Sequence, residues 1–182
     1  IEIMEDMLNG CVRMRVGIVV IGRNEGERLK KCLKSVVRSA PLVVYVDSGS
    51  TDGSVEMARS LGAEVIDLDM GIPFTVARAR NEGYRRLCEL VSERKYVQFV
   101  DGDCEIVAGW LDKAAAYLDT HPDVGAVCGR RRERFPERTV YNLLCDMEWD
   151  TPVGEARTSG GDVFIRANAF EAIEGYRVDV IA

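Results

Sequence analysis

Apolar residues fall into two alternating patterns along this chain, short unbroken runs and longer stretches spaced at helical period. "RVGIVVIG" (Arg15 to Gly22) is almost wholly apolar, as a strand covered on both faces requires. After it, Leu29, Cys32, Leu33, Val36, Val37 and Ala40 recur at i, i+3, i+4 and i+7, which predicts an amphipathic helix over 27–40 with Pro41 as its stop. "LVVYV" (Leu42 to Val46) predicts a second strand, followed by the polar turn "DSGSTDGS" and a short helix from about Ser54 to Leu61. A third strand lies within "AEVIDLD" (Ala63 to Asp69). The breakers Gly71 and Pro73 then lead into a helix with Ala77, Tyr84, Leu87, Cys88 and Val91 on one face. "YVQFV" (Tyr96 to Val100) is the fourth strand, Leu111, Ala114, Ala115 and Leu118 mark the next helix, and "VGAVCG" (Val124 to Gly129) the next strand.

Beyond Gly129 the rhythm changes. Residues 130–161 are mostly polar, with one helix carried by Val140, Leu143, Leu144 and Met147, before "DVFIR" predicts a last strand and "ANAFEAIEGY" a last helix. Strands alternating with helices in this way predict an α/β fold with a mostly parallel central sheet. At 182 residues the chain suits one domain, 1–182, better than two.

Composition narrows the chemistry. A net charge of −6 argues against a protein that coats nucleic acid, which needs surplus Lys and Arg to neutralise phosphates. The six cysteines form no CxxC pair, and with the single histidine, His121, they do not match zinc spacing. They read as reduced, buried thiols, which points to the cytoplasm. No run approaches the roughly 20 apolar residues that span a bilayer, so any membrane contact is expected at its inner face.

The chemistry concentrates after the strands. "FVDGDCEI" puts Asp101 and Asp103 on either side of Gly102 where the fourth apolar run stops. Two carboxylates so close repel unless a cation or a donor-rich ligand lies between them. Glu25, Asp47 and Asp52 also follow strands, and in an open α/β sheet such loops gather on one rim at the strands' C-terminal ends. Taken singly, "DSGSTDG" is an ordinary turn in which Asp47 or Asp52 bonds local backbone and Ser50 or Thr51 caps the following helix. The arginines Arg130, Arg131, Arg132, Arg134 and Arg138, interleaved with acids, read either as a solvated face or as a phosphate site. Trp149 and Tyr141 read as core aromatics before sugar-stacking ones.

Five segments in order, "VVIGRNEGERLKKCLKSV", "VDSGSTDGS", "ARARNEGY", "FVDGDCEI" and "GGDVFIRANAFEAIEGY", resemble the GT-A glycosyltransferases, specifically the large inverting family 2. The resemblance runs from about Val16 to the end of the chain. It departs at Ser48, where the family often has a second Asp, and at Glu174, where it often has Gly. It implies a Rossmann-like nucleotide-sugar-binding domain. Its activity would be transfer of a sugar from a UDP- or GDP-sugar to a hydroxyl of a saccharide, lipid or protein acceptor, assisted by Mn²⁺ or Mg²⁺. By the same resemblance Glu25 and Asp47 hold the base and ribose, Arg80 and Asn81 lie near base and phosphates, Asp101 contacts ribose or metal, and Asp103 ligates the metal. A departing nucleoside diphosphate develops charge on its β-phosphate, and a carboxylate-held divalent cation offsets it.

The family's catalytic base is a carboxylate after a "GGY"-like element, here "EGY" (Glu174 to Tyr176). Its spacing places the base beyond Ala182, so the chain is expected to stop short of it, with Asp179 the nearby substitute and Asp162 a second. Three other readings compete. A nucleotidyltransferase opens with a glycine-rich basic loop that "IGRNEG" lacks, and a haloacid-dehalogenase-type phosphatase carries its D-x-D on the first strand rather than the fourth. A nucleotide-sugar-binding module without turnover keeps every donor residue. A Rossmann dehydrogenase is disfavoured because the first turn lacks GxGxxG.

Overall fold

The computed structural model describes residues 15–37, 40, 42–91, 93–156 and 158–179. Its centre is a six-stranded sheet in the order β3-β2-β1-β4-β6-β5. The strands are β1 (Val16–Gly22), β2 (Leu42–Asp47), β3 (Glu64–Asp67), β4 (Tyr96–Asp101), β5 (Ala126–Val127) and β6 (Val163–Arg166). β1 pairs in parallel with β2 and β4, and β2 with β3. β6 runs antiparallel to β4 and carries β5 antiparallel at the edge. The sheet is therefore mostly parallel, as the alternating pattern predicts.

Helices cover both faces, which is why β1 and β2 read as unbroken apolar runs and β4 as one interrupted only by the buried Gln98. Helices α1 (Glu27–Val36), α2 (Ser54–Ser60) and α4 (Trp110–Thr120) pack on one side, burying Leu29, Leu33, Ala58, Leu111, Ala115 and Leu118 against Ile18, Val20 and Tyr45. On the other side α3 (Val76–Leu90) and α6 (Ala167–Ala172) bury Ala79, Tyr84, Leu87 and Phe170 against Val19, Val44, Val46 and Phe99. Thr75 caps α3 by accepting from the Arg78 amide at 3.0 Å. Helix α5 (Val140–Glu148) follows the long polar segment and is capped by Thr139.

Several elements differ from expectation for local reasons. α1 ends at Val36, and Pro41 lies outside the described residues. The buried stripe of α3 runs through Ala79, Gly83, Tyr84 and Leu87, leaving Ala77 half-buried. The strand expected at 124–129 shrinks to Ala126–Val127, because at the sheet edge only β6 is there to pair with it. The last helix stops at Ala172, since Glu174 and Gly175 take left-handed backbone angles of φ 58° and 77°. α5 carries the expected apolar spacing yet buries none of it. The described cysteines are unpaired as expected, but only Cys32 is buried, and Cys128 is exposed; Cys11 lies outside the described residues.

Candidate functional site

The loops after β1, β2 and β4 converge at the C-terminal rim, and backbone hydrogen bonds lock them together. The Gly102 amide donates to Ile21 O at 2.7 Å and the Ser48 amide to Gly22 O at 3.0 Å. Asn24, itself at φ 54°, donates its amide to Ser50 Oγ at 2.8 Å, and its Oδ1 accepts from the Thr51 amide at 2.7 Å. This interlock brings the acidic residues within electrostatic reach. Burial, and then the charges of Asp103 and Asp52 against the pull of Arg28, raise the Glu25 carboxyl above its ordinary value.

Not every carboxylate of the rim is free to meet a ligand. Asp47 is buried, accepting from Tyr45 OH at 2.8 Å on one oxygen and from the Gly49 and Ser50 amides at 3.0 and 2.7 Å on the other. Both oxygens are thus committed to shaping their own turn. Asp52 accepts from the Ser54 amide at 3.0 Å, so it, and not Ser50 or Thr51, supports the start of α2. Glu25 pairs with Arg28 at 2.7 Å.

The end of β4 is built differently. Asp101 Oδ1 accepts from Arg80 at 2.8 Å, and the Arg80 side chain is only 13% exposed. Arg80 also lies over the Tyr176 ring, 5.2 Å from its centroid. Asp103 projects beyond the turn and is exposed. Beneath them the Cys32 and Cys104 thiols are pushed up by burial and by the surrounding carboxylates, so both stay protonated and neither is a nucleophile.

Asn81, expected near base and phosphates, bonds the backbone of Tyr176. Its Nδ2 donates to Tyr176 O at 2.8 Å while its Oδ1 accepts from the Tyr176 amide at 2.9 Å, so one side-chain amide clasps the turn after α6 as a strand would. Gly175 must lack a side chain there, since a Cβ would lie 2.8 Å from Asn81 Oδ1.

Sequence reasoning gave Asp162 only the role of substitute base, and the structure sets it beside Asp101 and Asp103. β6 is antiparallel, so the residues that precede it reach the same rim as the residues that follow β4. A Cβ on Gly161 would fall 1.6 Å from Asp101 Oδ2, so only glycine lets the two segments meet. Asp162 Oδ1 is buried without a hydrogen-bond partner among the described residues. Burial, then Asp101, push its carboxyl up to about 6, with Asp103 adding and Arg131 and Arg80 opposing. The available signal was "GGD" directly ahead of an apolar run, the mirror of "VDGD" directly after one.

Among the described residues no three His, Cys, Asp or Glu side chains gather into a cation cage. The donor set instead fits a cation held by one or two carboxylates and completed by phosphate oxygens, the habit of Mg²⁺ and similar ions. Asp103, with its exposed carboxylate, and Asp101 are the residues placed for that.

Comparison with known proteins agrees with this fold. A family model described as glycosyl transferase family 2 matches residues 17–173. Glycosyltransferase AglE of Haloferax volcanii is 30% identical over 192 residues, covering 86% of this chain and 62% of that protein. Among solved structures, mannosyltransferase PcManGT from Pyrobaculum calidifontis, in complex with GDP-Man and Mn²⁺, superimposes with a TM-score of 0.65 at 25% identity over 92% of this chain and 49% of that one. TarS of S. aureus shares the fold, with a TM-score of 0.59 at 22% identity over 90% of this chain and 30% of its own. The chain thus spans less than two thirds of each of these proteins.

Proposed function

This chain belongs to glycosyl transferase family 2, and from that premise we propose that it forms the donor-binding part of an inverting, metal-dependent glycosyltransferase. The donor is a nucleoside diphosphate sugar, with GDP- and UDP-sugars the candidates. One observation carries the reading: Asp101 and Asp103 stand at the C-terminal end of β4, with Asp101 oriented by the half-buried Arg80.

Asp103 and Asp101 would hold a divalent cation, Mn²⁺ or Mg²⁺, which when bound neutralises charge on the departing diphosphate. Arg80 fixes Asp101 and keeps positive charge near the phosphates. Glu25 lines the nucleoside side of the rim, where Asp47 contributes by holding its turn in shape. The acceptor oxygen bonds to the anomeric carbon from the face opposite the leaving diphosphate, whose bond to that carbon breaks, and the hydroxyl proton passes to a carboxylate base. Asp179 suits that role poorly. Its hydrogen bonds from Arg177, at 3.1 and 2.7 Å, hold its carboxyl below the ordinary range. Asp162, whose Oδ1 is buried without a hydrogen-bond partner among the described residues, is the freer of the two to accept that proton.

A thermal-shift titration with GDP and UDP, in Mn²⁺ and in excess chelator, tests the donor and metal together. Ligand at about 100 times its dissociation constant should add roughly 2.7 kcal/mol in Mn²⁺ only. Asp103→Asn should abolish that gain while leaving the metal-free melting point within a degree or two. Equal stabilisation in chelator refutes a metal-bridged donor.

A further inference from the structure

The arginine segment after β5 divides cleanly in the structure. Arg130 pairs with Asp150 at 2.9 Å, Arg132 with Asp146 at 3.6 Å, and Arg134 grips both oxygens of Glu105. Arg138 is exposed just ahead of α5. Arg131 alone of the five is half-buried, and its side chain, like that of Arg138, makes neither an ion pair nor a hydrogen bond among the described residues. Its guanidinium carbon lies 4.8 Å from the Trp149 ring. On another side it abuts Gly160, where a Cβ would fall 2.4 Å from Cζ and Nη2 and 2.8 Å from Nε. A planar cation placed between an indole and a bare backbone has its orientation fixed while its N–H donors stay unspent.

Gly160 abuts Arg131 and its neighbour Gly161 abuts Asp101, which ties Arg131 to the Asp101 end of the site. We propose that Arg131 is an anion-binding residue of this site, receiving the oxygens of a phosphate group carried by the acceptor or by the donor. The inference rests on the transferase reading above and adds to it a substrate chemistry. The carboxylates at 101 and 103 would hold a cation, and the stacked guanidinium beside them, unpaired among the described residues, suits anionic oxygens. Fork-shaped pairing with phosphate is what guanidinium geometry favours.

The chain has two tryptophans, which makes the test direct. Trp110 donates its indole N–H to Gln98 at 2.7 Å, whereas Trp149 lies against Arg131. Inorganic phosphate titrated into ¹⁵N-labelled protein should move the Trp149 indole resonance saturably and leave Trp110 in place. Arg131→Gln should weaken phosphate at least about tenfold, the loss expected when a charged hydrogen bond is removed. Gly160→Ala, which displaces the guanidinium but keeps its charge, should do the same. Repeating the titration with saturating GDP and Mg²⁺ separates the sources. Continued phosphate binding assigns the residue to an acceptor phosphate, and exclusion together with an equal loss of GDP affinity in Arg131→Gln assigns it to the donor. Phosphate and GDP affinities both unchanged in Arg131→Gln overturn the proposal. Failure of the transferase reading shows separately, as absent Mg²⁺-dependent binding of GDP and UDP to the parent chain.

Discussion

Gly83 sits in the interior of α3, where replacement by alanine ordinarily strengthens a helix by up to about 1 kcal/mol. Here the expected sign is the reverse. A Cβ at Gly83 would lie 2.4 Å from Val19 Cγ1, 3.0 Å from Val46 Cγ2 and 3.3 Å from Val19 Cγ2. Carbon atoms pack best at about 3.5–4.0 Å, so the nearest contact is more than about 1 Å too short. Val19 and Val46 are both fully buried on adjacent central strands, and their β-branched side chains have little rotamer freedom with which to yield. Overpacking of this kind costs about 1–3 kcal/mol, and two stiff neighbours place it near the top of that range. Subtracting the helical gain leaves Gly83→Ala less stable by about 2 kcal/mol. With a urea slope of roughly 2 kcal/mol per molar, the unfolding midpoint should fall by about 1 M with the slope unchanged. A variant as stable as the parent, or more so, would show that α3 can lift off the sheet freely and that Gly83 is not what allows the close approach.

Two other measurements bear on charge and backbone. Burial alone would raise the Asp119 carboxyl, but hydrogen bonds from Lys95 and Tyr96 and the charge of Arg15 bring it down to about 2. Its stabilisation is therefore present above the unfolded value and is lost as pH falls toward 2. Asp119→Asn should cost about 1 kcal/mol at pH 7 after allowance for solvent screening, with the gap to the parent closing between about pH 4 and pH 2. A gap that widened on acidification would contradict this. Glu174 is a non-glycine residue at φ 58°, so Glu174→Gly should raise stability by about 0.5–1 kcal/mol in denaturant unfolding; a loss would mean that the side chain makes up for its strained backbone.

The central strands and α1 were legible because burial on both faces of a sheet leaves an unbroken apolar run, and a helix on such a sheet keeps one stripe. β5 was overread at 124–129, since apolar letters do not say how long a partner strand is. α5 was the reverse case. Val140, Leu143, Leu144 and Met147 carry the spacing of a buried face, yet each is about half exposed or more. Asp101 and Asp103 stood out because two like charges flank one glycine, a conflict visible in the letters alone. Asp47 resembled them in position, but its inward turn depends on the positive φ of Gly49 and on Tyr45 lying beneath it, and neither is written in a carboxylate's place after a strand. Asp162 needed knowledge that β6 runs antiparallel.

The clasp between Asn81 and Tyr176 joins positions 95 apart in sequence. A contact of that separation closes a long loop, and the entropy of doing so is recovered only once α3 is already seated on the sheet. It is expected among the last contacts to form as the chain folds, and Asn81→Ala should then speed unfolding while leaving the folding rate unchanged in stopped-flow measurements. Interactions absent from the folding transition state act on the rate of escape from the native state and leave the rate of entry alone. The amide of Asn81 is therefore a brake on unfolding, holding the native fold longer without hastening its arrival.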